Sequence, residues 1–161
     1  MKNYICINGK KAELTEEQMK ALGIELPKKN PFSRVNNRQH FYYITNKGKL
    51  EYGIEINDFQ CTGLYEVANY CTDKALMEQR ALHETLNRLL WRYSMKHRVE
   101  EERKFAYIIQ YSHAVHEYNV VWAHEDNVYI GEITFDTKEI ANNAIKEIIE
   151  PFMEAHPDFK P

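Results

Sequence analysis

Three histidines, His113, His116 and His124, surround one predicted turn, and histidine is a common metal ligand. An H-x-x-H pair in a hairpin, without a matching cysteine pair, is not a zinc spacing, so the reading is a polar turn. His83-Glu84 is followed by Thr-Leu-Asn87, and the second histidine of an H-E-x-x-H site is missing. Glu51 and Glu55 are a candidate carboxylate pair, but their strand-like spacing predicts an outward face. The sequence has no G-x-S-x-G and no Gly-rich phosphate loop, and its 6 glycines leave little backbone for one. No enzyme class is signalled, and no metal or cofactor is predicted.

The residues with most to say lie on a long helix read from Cys71 to Arg98. At about 100° per residue, Ala75, Leu82, Leu86, Leu89, Leu90 and Tyr93 share one arc, which predicts a core stripe. Met77, Ala81, Trp91 and Met95 fall on the opposite side with Arg80, Glu84, Arg88 and Arg92. Trp and Arg are enriched at binding hot spots and Met surfaces adapt to partners. Met77, Arg80, Arg88, Trp91, Arg92 and Met95 are therefore the candidate partner-binding set. The competing reading is burial on two sides, with a second layer such as the N-terminal hairpin and helix over this face.

A second candidate surface is basic and aromatic. Between Leu26 and Leu50 stand Lys28, Lys29, Arg34, Arg38, Lys47 and Lys49 with no acidic residue, interleaved with Phe32, Phe41, Tyr42 and Tyr43. Such a mixture fits a nucleic-acid backbone with stacked bases, or a solvated linker followed by a strand. The acidic residues concentrate elsewhere: Phe105 to Pro161 holds 3 Lys/Arg against 10 Asp/Glu, although the whole chain is only −3. A bipolar surface of this kind bears on partners rather than on fold.

These residues need elements to hold them. Tyr4 to Leu14 reads as a hairpin around Asn8-Gly9, and Thr15-Glu-Glu-Gln18 is a capping box opening a short helix that Gly23 closes. Residues 27–40 read as a linker. FYYIT (41–45) and LEYGIEI (50–56) form a second hairpin through Asn46-Lys-Gly48. Residues 57–64 read as a loop and YEVANY (65–70) as a third strand, with Thr72 as N-cap of the long helix. Beyond it, residues 105–111, 118–124 and 128–135 read as strands. Asp136 or Thr137 caps a last helix that Pro151 should kink or end near Glu150.

The 161 residues thus predict an α+β protein: an N-terminal hairpin and helix (1–26), a linker (27–40), and an α+β domain (41–161). In that domain a β-β-(β)-α order occurs twice, over 41–98 and 105–155. It can form one antiparallel sheet with helices on one face, or two separate small sheets. The odd set Cys6, Cys61 and Cys71 predicts free thiols in a reducing cytoplasm. The lack of an 18-residue apolar run or a signal-peptide core predicts neither membrane span nor export.

LTEEQMKALGIELPKKNPF (14–32), YCTDKALMEQRALHETLNRLLWRYSMKH (70–97) and IIEPFMEAHPDF (148–159) resemble small proteins encoded by phages and prophages of Firmicutes. That family has no assigned activity, so the resemblance carries over no catalytic or ligand residue. It implies an accessory protein of a mobile element in a bacterial cytoplasm. Phage proteins of this size often bind and block host machinery, CRISPR effectors included. The expectation is a non-enzymatic inhibitor of a host protein or ribonucleoprotein effector, with the Cas9 type as the example. The alternative is a nucleic-acid-binding accessory protein using residues 28–49 and the helix arginines.

Overall fold

A helix of 23 residues, α3 (Lys74–Lys96), about 34 Å long at the standard rise, is the element on which the larger part of the chain is built. The computed structural model describes residues 4–7, 10–23, 30–99, 105–124, 128–129 and 131–161. The chain divides into two compact units, Met1–Ser33 and Arg34–Pro161.

In the first unit β1 (Tyr4–Ile7) pairs antiparallel with β2 (Lys10–Glu13); the Asn8-Gly9 turn lies outside the described residues. The capping box forms at the start of α1 (Glu16–Ala21). The Gln18 N–H donates to the Thr15 hydroxyl at 3.2 Å, and the Thr15 N–H donates to Gln18 Oε1 at 2.9 Å. Gly23 follows in the left-handed region, φ +68°, as a helix-ending glycine does.

The second unit is α+β, and its strands form two separate antiparallel sheets. β3 (His40–Ile44) pairs with β4 (Leu50–Ile54), with Tyr42 opposite Tyr52. The other edge of β3 is sealed without a third strand. Tyr42 exchanges both backbone hydrogen bonds with Cys71, and the Asn69 side-chain amide takes both backbone groups of Ile44, at 2.8 and 2.6 Å. No strand forms at 65–70: α2 (Phe59–Glu66) takes Tyr65 and Glu66 together with most of the loop expected at 57–64, and a turn at Val67-Ala68 follows it. Its cause is local: the Asp58 carboxylate accepts the Cys61 N–H at 2.8 Å, as an N-cap does. Asp73, rather than Thr72, caps α3, accepting the Leu76 N–H at 3.1 Å.

The β3–β4 hairpin has helices on both faces. Ile44, Tyr42 and Leu50 meet Met77 and Ala81 from the first half of α3, together with Cys71. Phe41 and Tyr43, on the other face, meet Cys61 and Leu64 of α2 and Tyr70. The second half of α3 turns Leu86, Leu90 and Tyr93 to the larger core, built with Phe135, Ala141, Ala144, Ile149, Phe152 and Phe159. Each large side chain buried there contributes roughly 1.5–3 kcal/mol.

The second sheet has the order β6-β5-β7, from β5 (Phe105–Ser112), β6 (Glu117–His124) and β7 (Thr134–Phe135). The strand expected at 128–135 is only its last two residues, after a turn in which Gly131 has φ +86°. Thr137, one of the two expected caps, receives the Ile140 N–H at 3.1 Å and opens α4 (Lys138–Ala144). Pro151 does not end that helix. A π-helical turn, Ile145–Ile149, leads into α5 (Glu150–Ala155), and the Glu150 N–H reaches back five residues to the Ile145 carbonyl. The wider turn answers the proline, whose missing N–H and bulky ring cannot sit on a regular ladder. The tail then returns to α3. Gln79 donates to the Asp158 carbonyl at 2.7 Å and accepts the Lys160 N–H at 2.9 Å.

Candidate functional site

Two sides of α3 carry apolar residues, and the β3–β4 hairpin covers only part of the second. Met77, expected in the partner-binding set, is 0% exposed beneath that hairpin and belongs to the core. The layer over Met77 and Ala81 is the β3–β4 hairpin. Its turn ends against the middle of α3: a Cβ on Gly48 would lie 3.4 Å from Thr85 Oγ1 and 3.5 Å from Arg88 Nη1. Past that point the same side of the helix is open, with Trp91 60% and Met95 45% exposed. Arg88 and Arg92 are exposed beside them.

The arginines are ordered by a helical ladder. Glu84 Oε1 accepts from Arg80 Nε at 3.0 Å, and Glu84 Oε2 accepts from Arg88 Nη2 at 3.2 Å. Both are i, i+4 pairs, which meet on one helix face. Arg80 Nη1 also donates to the Ala68 carbonyl, just beyond α2. Beside this ladder lies a cavity of about 530 Å3, bounded by the β3–β4 turn, Leu64 of α2 and the α3 arginines.

The basic set is dispersed. Lys28 and Lys29 lie outside the described residues. Arg38 is exposed, with φ +70°, in a bulge where the Arg38 N–H and the Gln39 carbonyl both bond Glu55. Lys47 and Lys49 are exposed on the β3–β4 turn beside Arg88. Arg34 is not a free basic contact. Its Nε and Nη2 hold the two Glu55 carboxylate oxygens at 3.1 and 3.0 Å, and Nη2 also reaches the Thr62 hydroxyl at 3.1 Å.

Glu55 is the buried acid that sequence reasoning missed. Expected on an outward face with Glu51, it is 0% exposed, whereas Glu51 is exposed and accepts from Tyr43 at 3.0 Å. The Tyr70 hydroxyl donates to Glu55 at 2.9 Å, and the Asn57 N–H donates to Glu55 at 2.8 Å. The Arg34 fork, against the opposing effect of burial, holds the Glu55 carboxyl down to about 2. Burial, and then the Glu55 carboxylate, push Tyr70 up to about 12. Each member of this cluster has its partners within the protein, which makes it a structural lock.

Each of the three histidines meets an aromatic side chain, His113 and His116 the same one. His116 Nδ1 is 3.3 Å from the Tyr111 hydroxyl, the His113 ring meets the edge of Tyr111, and His124 meets Phe105. Among the described residues no three His, Cys, Asp or Glu side chains gather as a metal site. No described helix is long and apolar enough to cross a membrane.

Fold and surface together define an α+β protein with a basic, Trp- and Met-bearing helix face beside a hairpin turn. No protein-family model, curated protein or solved structure matches the chain.

Proposed function

We propose that the protein acts by binding rather than by catalysis, and that its contact surface is the open side of α3 formed by Arg88, Trp91, Arg92 and Met95. The observation that carries this reading is the exposure of Trp91 and Met95, one helical turn apart, alongside the exposed Arg88 and Arg92. A tryptophan contributes large, rigid contact area when a partner covers it, and arginine and methionine suit the same role. The partner proposed is a host protein or ribonucleoprotein that targets nucleic acid, inhibited when this surface occupies it. The phage-like sequence segments favour that class, and so does the uneven charge of the chain, which would steer association.

The test mixes purified protein with guide-loaded RNA-guided DNA nucleases and reads co-elution and DNA cleavage. Inhibition that disappears in Trp91→Ala and Arg92→Glu supports the reading. Cleavage that continues undiminished across several effectors, with no co-elution, removes it. A second reading, direct contact with nucleic acid, is favoured by one observation: Lys47 and Lys49 adjoin Arg88 where the hairpin turn meets the helix. Binding of that kind weakens steeply with salt, and undetectable binding to DNA and RNA at low salt would remove it.

A further inference from the structure

The cavity beside the β3–β4 turn shares Arg88 with the proposed partner surface, but its second arginine, Arg80, and the turn residues belong to the cavity alone. Two arginines line it, and a single carboxylate, Glu84, bridges them. A guanidinium carries five N–H donors. Arg80 uses Nε on Glu84 and Nη1 on Ala68, and Arg88 uses Nη2 on Glu84. The remaining donors have no protein acceptor among the described residues, and the two positive charges against one negative leave a net positive wall.

The rest of the lining is mixed: Tyr43, Ile44 and Leu64 supply an apolar floor, and Thr45, Asn46 and Asn69 supply the polar groups. The Thr45 hydroxyl accepts the Lys49 N–H at 3.2 Å, which leaves its own O–H to donate. The Asn46 side-chain amide has no hydrogen-bond partner among the described residues, and Lys47 and Lys49 on the same turn add positive field. Glu84 and the Ala68 carbonyl hold Arg80 in place before any ligand arrives, which lowers the ordering cost at that side chain. A ladder serving only to stabilise the helix would need neither the cavity nor the turn's donors.

We infer that this cavity is a phosphate site, in which a phosphate oxyanion binds Arg80 and Arg88 on one side and Thr45 and Asn46 on the other. Arginine forks match phosphate oxygens in pairs, as the two arginines together match the carboxylate oxygens of Glu84. The phosphate has two sources, a free small molecule or a nucleic-acid strand, and the experiment separates them. The inference stands on the cavity and does not depend on the partner surface around Trp91.

The full chain is titrated at low ionic strength with inorganic phosphate, followed by phosphorus NMR and calorimetry. Saturable one-to-one binding is expected, weakened at least tenfold in Arg88→Gln. The same loss is expected in Asn46→Asp, which places a carboxylate at an exposed turn position and leaves the melting temperature unchanged. A mononucleotide and a short single-stranded oligonucleotide form the other arms. Equal affinity for phosphate and mononucleotide identifies a small-molecule site, and a salt-sensitive gain with the oligonucleotide identifies a strand. Absence of saturable phosphate binding, or equal affinity in the wild type and both variants, overturns the assignment.

Discussion

The Phe41 ring lies against Gly53, its cross-strand partner, so closely that a Cβ at position 53 would stand 2.6 Å from ring atom Cζ. The ring has no room to retreat. Its other contacts include Tyr70, stacked at 4.0 Å between centroids and 13° from parallel. Gly53→Ala should therefore destabilise the protein by about 1–3 kcal/mol, the usual range for overpacking a core. Urea denaturation measures the loss. In the Phe41→Leu background the same change should cost clearly less, and additive costs in that cycle would show that the ring is not the obstacle.

Glu55 gives the fold an acid-sensitive lock. Its folded carboxyl titrates near 2 against an ordinary 4.5, so the unfolded chain takes up the proton first as pH falls. The stabilisation is fully present above about pH 4.5 and is lost progressively towards pH 2. From the size of the shift it is about 3 kcal/mol. Glu55→Gln lacks this ionisation. The stability difference between wild type and variant should shrink as pH falls from 5 to 2.5, and a difference independent of pH would contradict the assignment.

The same region shows where sequence reading stops. Asn46-Lys-Gly48, the Thr15–Gln18 box and the spacing of Leu82, Leu86, Leu90 and Tyr93 are local signals. They place the β3–β4 hairpin, α1 and α3 without reference to the rest of the chain. Asp58 is an equally local helix signal, but together with Thr62 and Gly63 it makes residues 57–64 read as a loop. Missing α2 had a consequence at a distance. Glu55 lies under Tyr70 and α2, and with no helix expected there its side of the strand was assigned to solvent. Met77 and Trp91 lie on the same side of α3 by period, and only the position of the β3–β4 hairpin tells the core residue from the open one. The cavity by Arg80 and Arg88 joins residues 45, 46, 64, 80 and 88. No spacing rule brings those together.

The cysteines should separate into two reactivities. Cys6 is exposed, while Cys61 and Cys71 are buried, and burial pushes the Cys61 thiol up, away from the reactive thiolate. A thiol reagent at neutral pH should modify one cysteine quickly and the other two only as fast as the fold opens. Mass spectrometry of the early product should place the label on Cys6. Rapid labelling of Cys71 would mean that its pairing with Tyr42 along the β3 edge opens readily.

Met77 and Trp91 make the sharpest contrast, because both belong to one side of α3 and the structure assigns them opposite roles. Met77→Ala removes a fully buried side chain between α3 and the hairpin, and truncations of this kind cost about 2–5 kcal/mol. Trp91→Ala removes a side chain that is 60% exposed and belongs to none of the three core clusters. Its stability cost should stay below about 1 kcal/mol, near the range for surface positions. Partner capture should respond in the reverse order. Trp91→Ala should weaken it at least tenfold, and Met77→Ala, assayed below its melting point, should retain it. Thermal unfolding and co-elution on the same two proteins provide the check, and a large stability loss in Trp91→Ala would place that ring in the core.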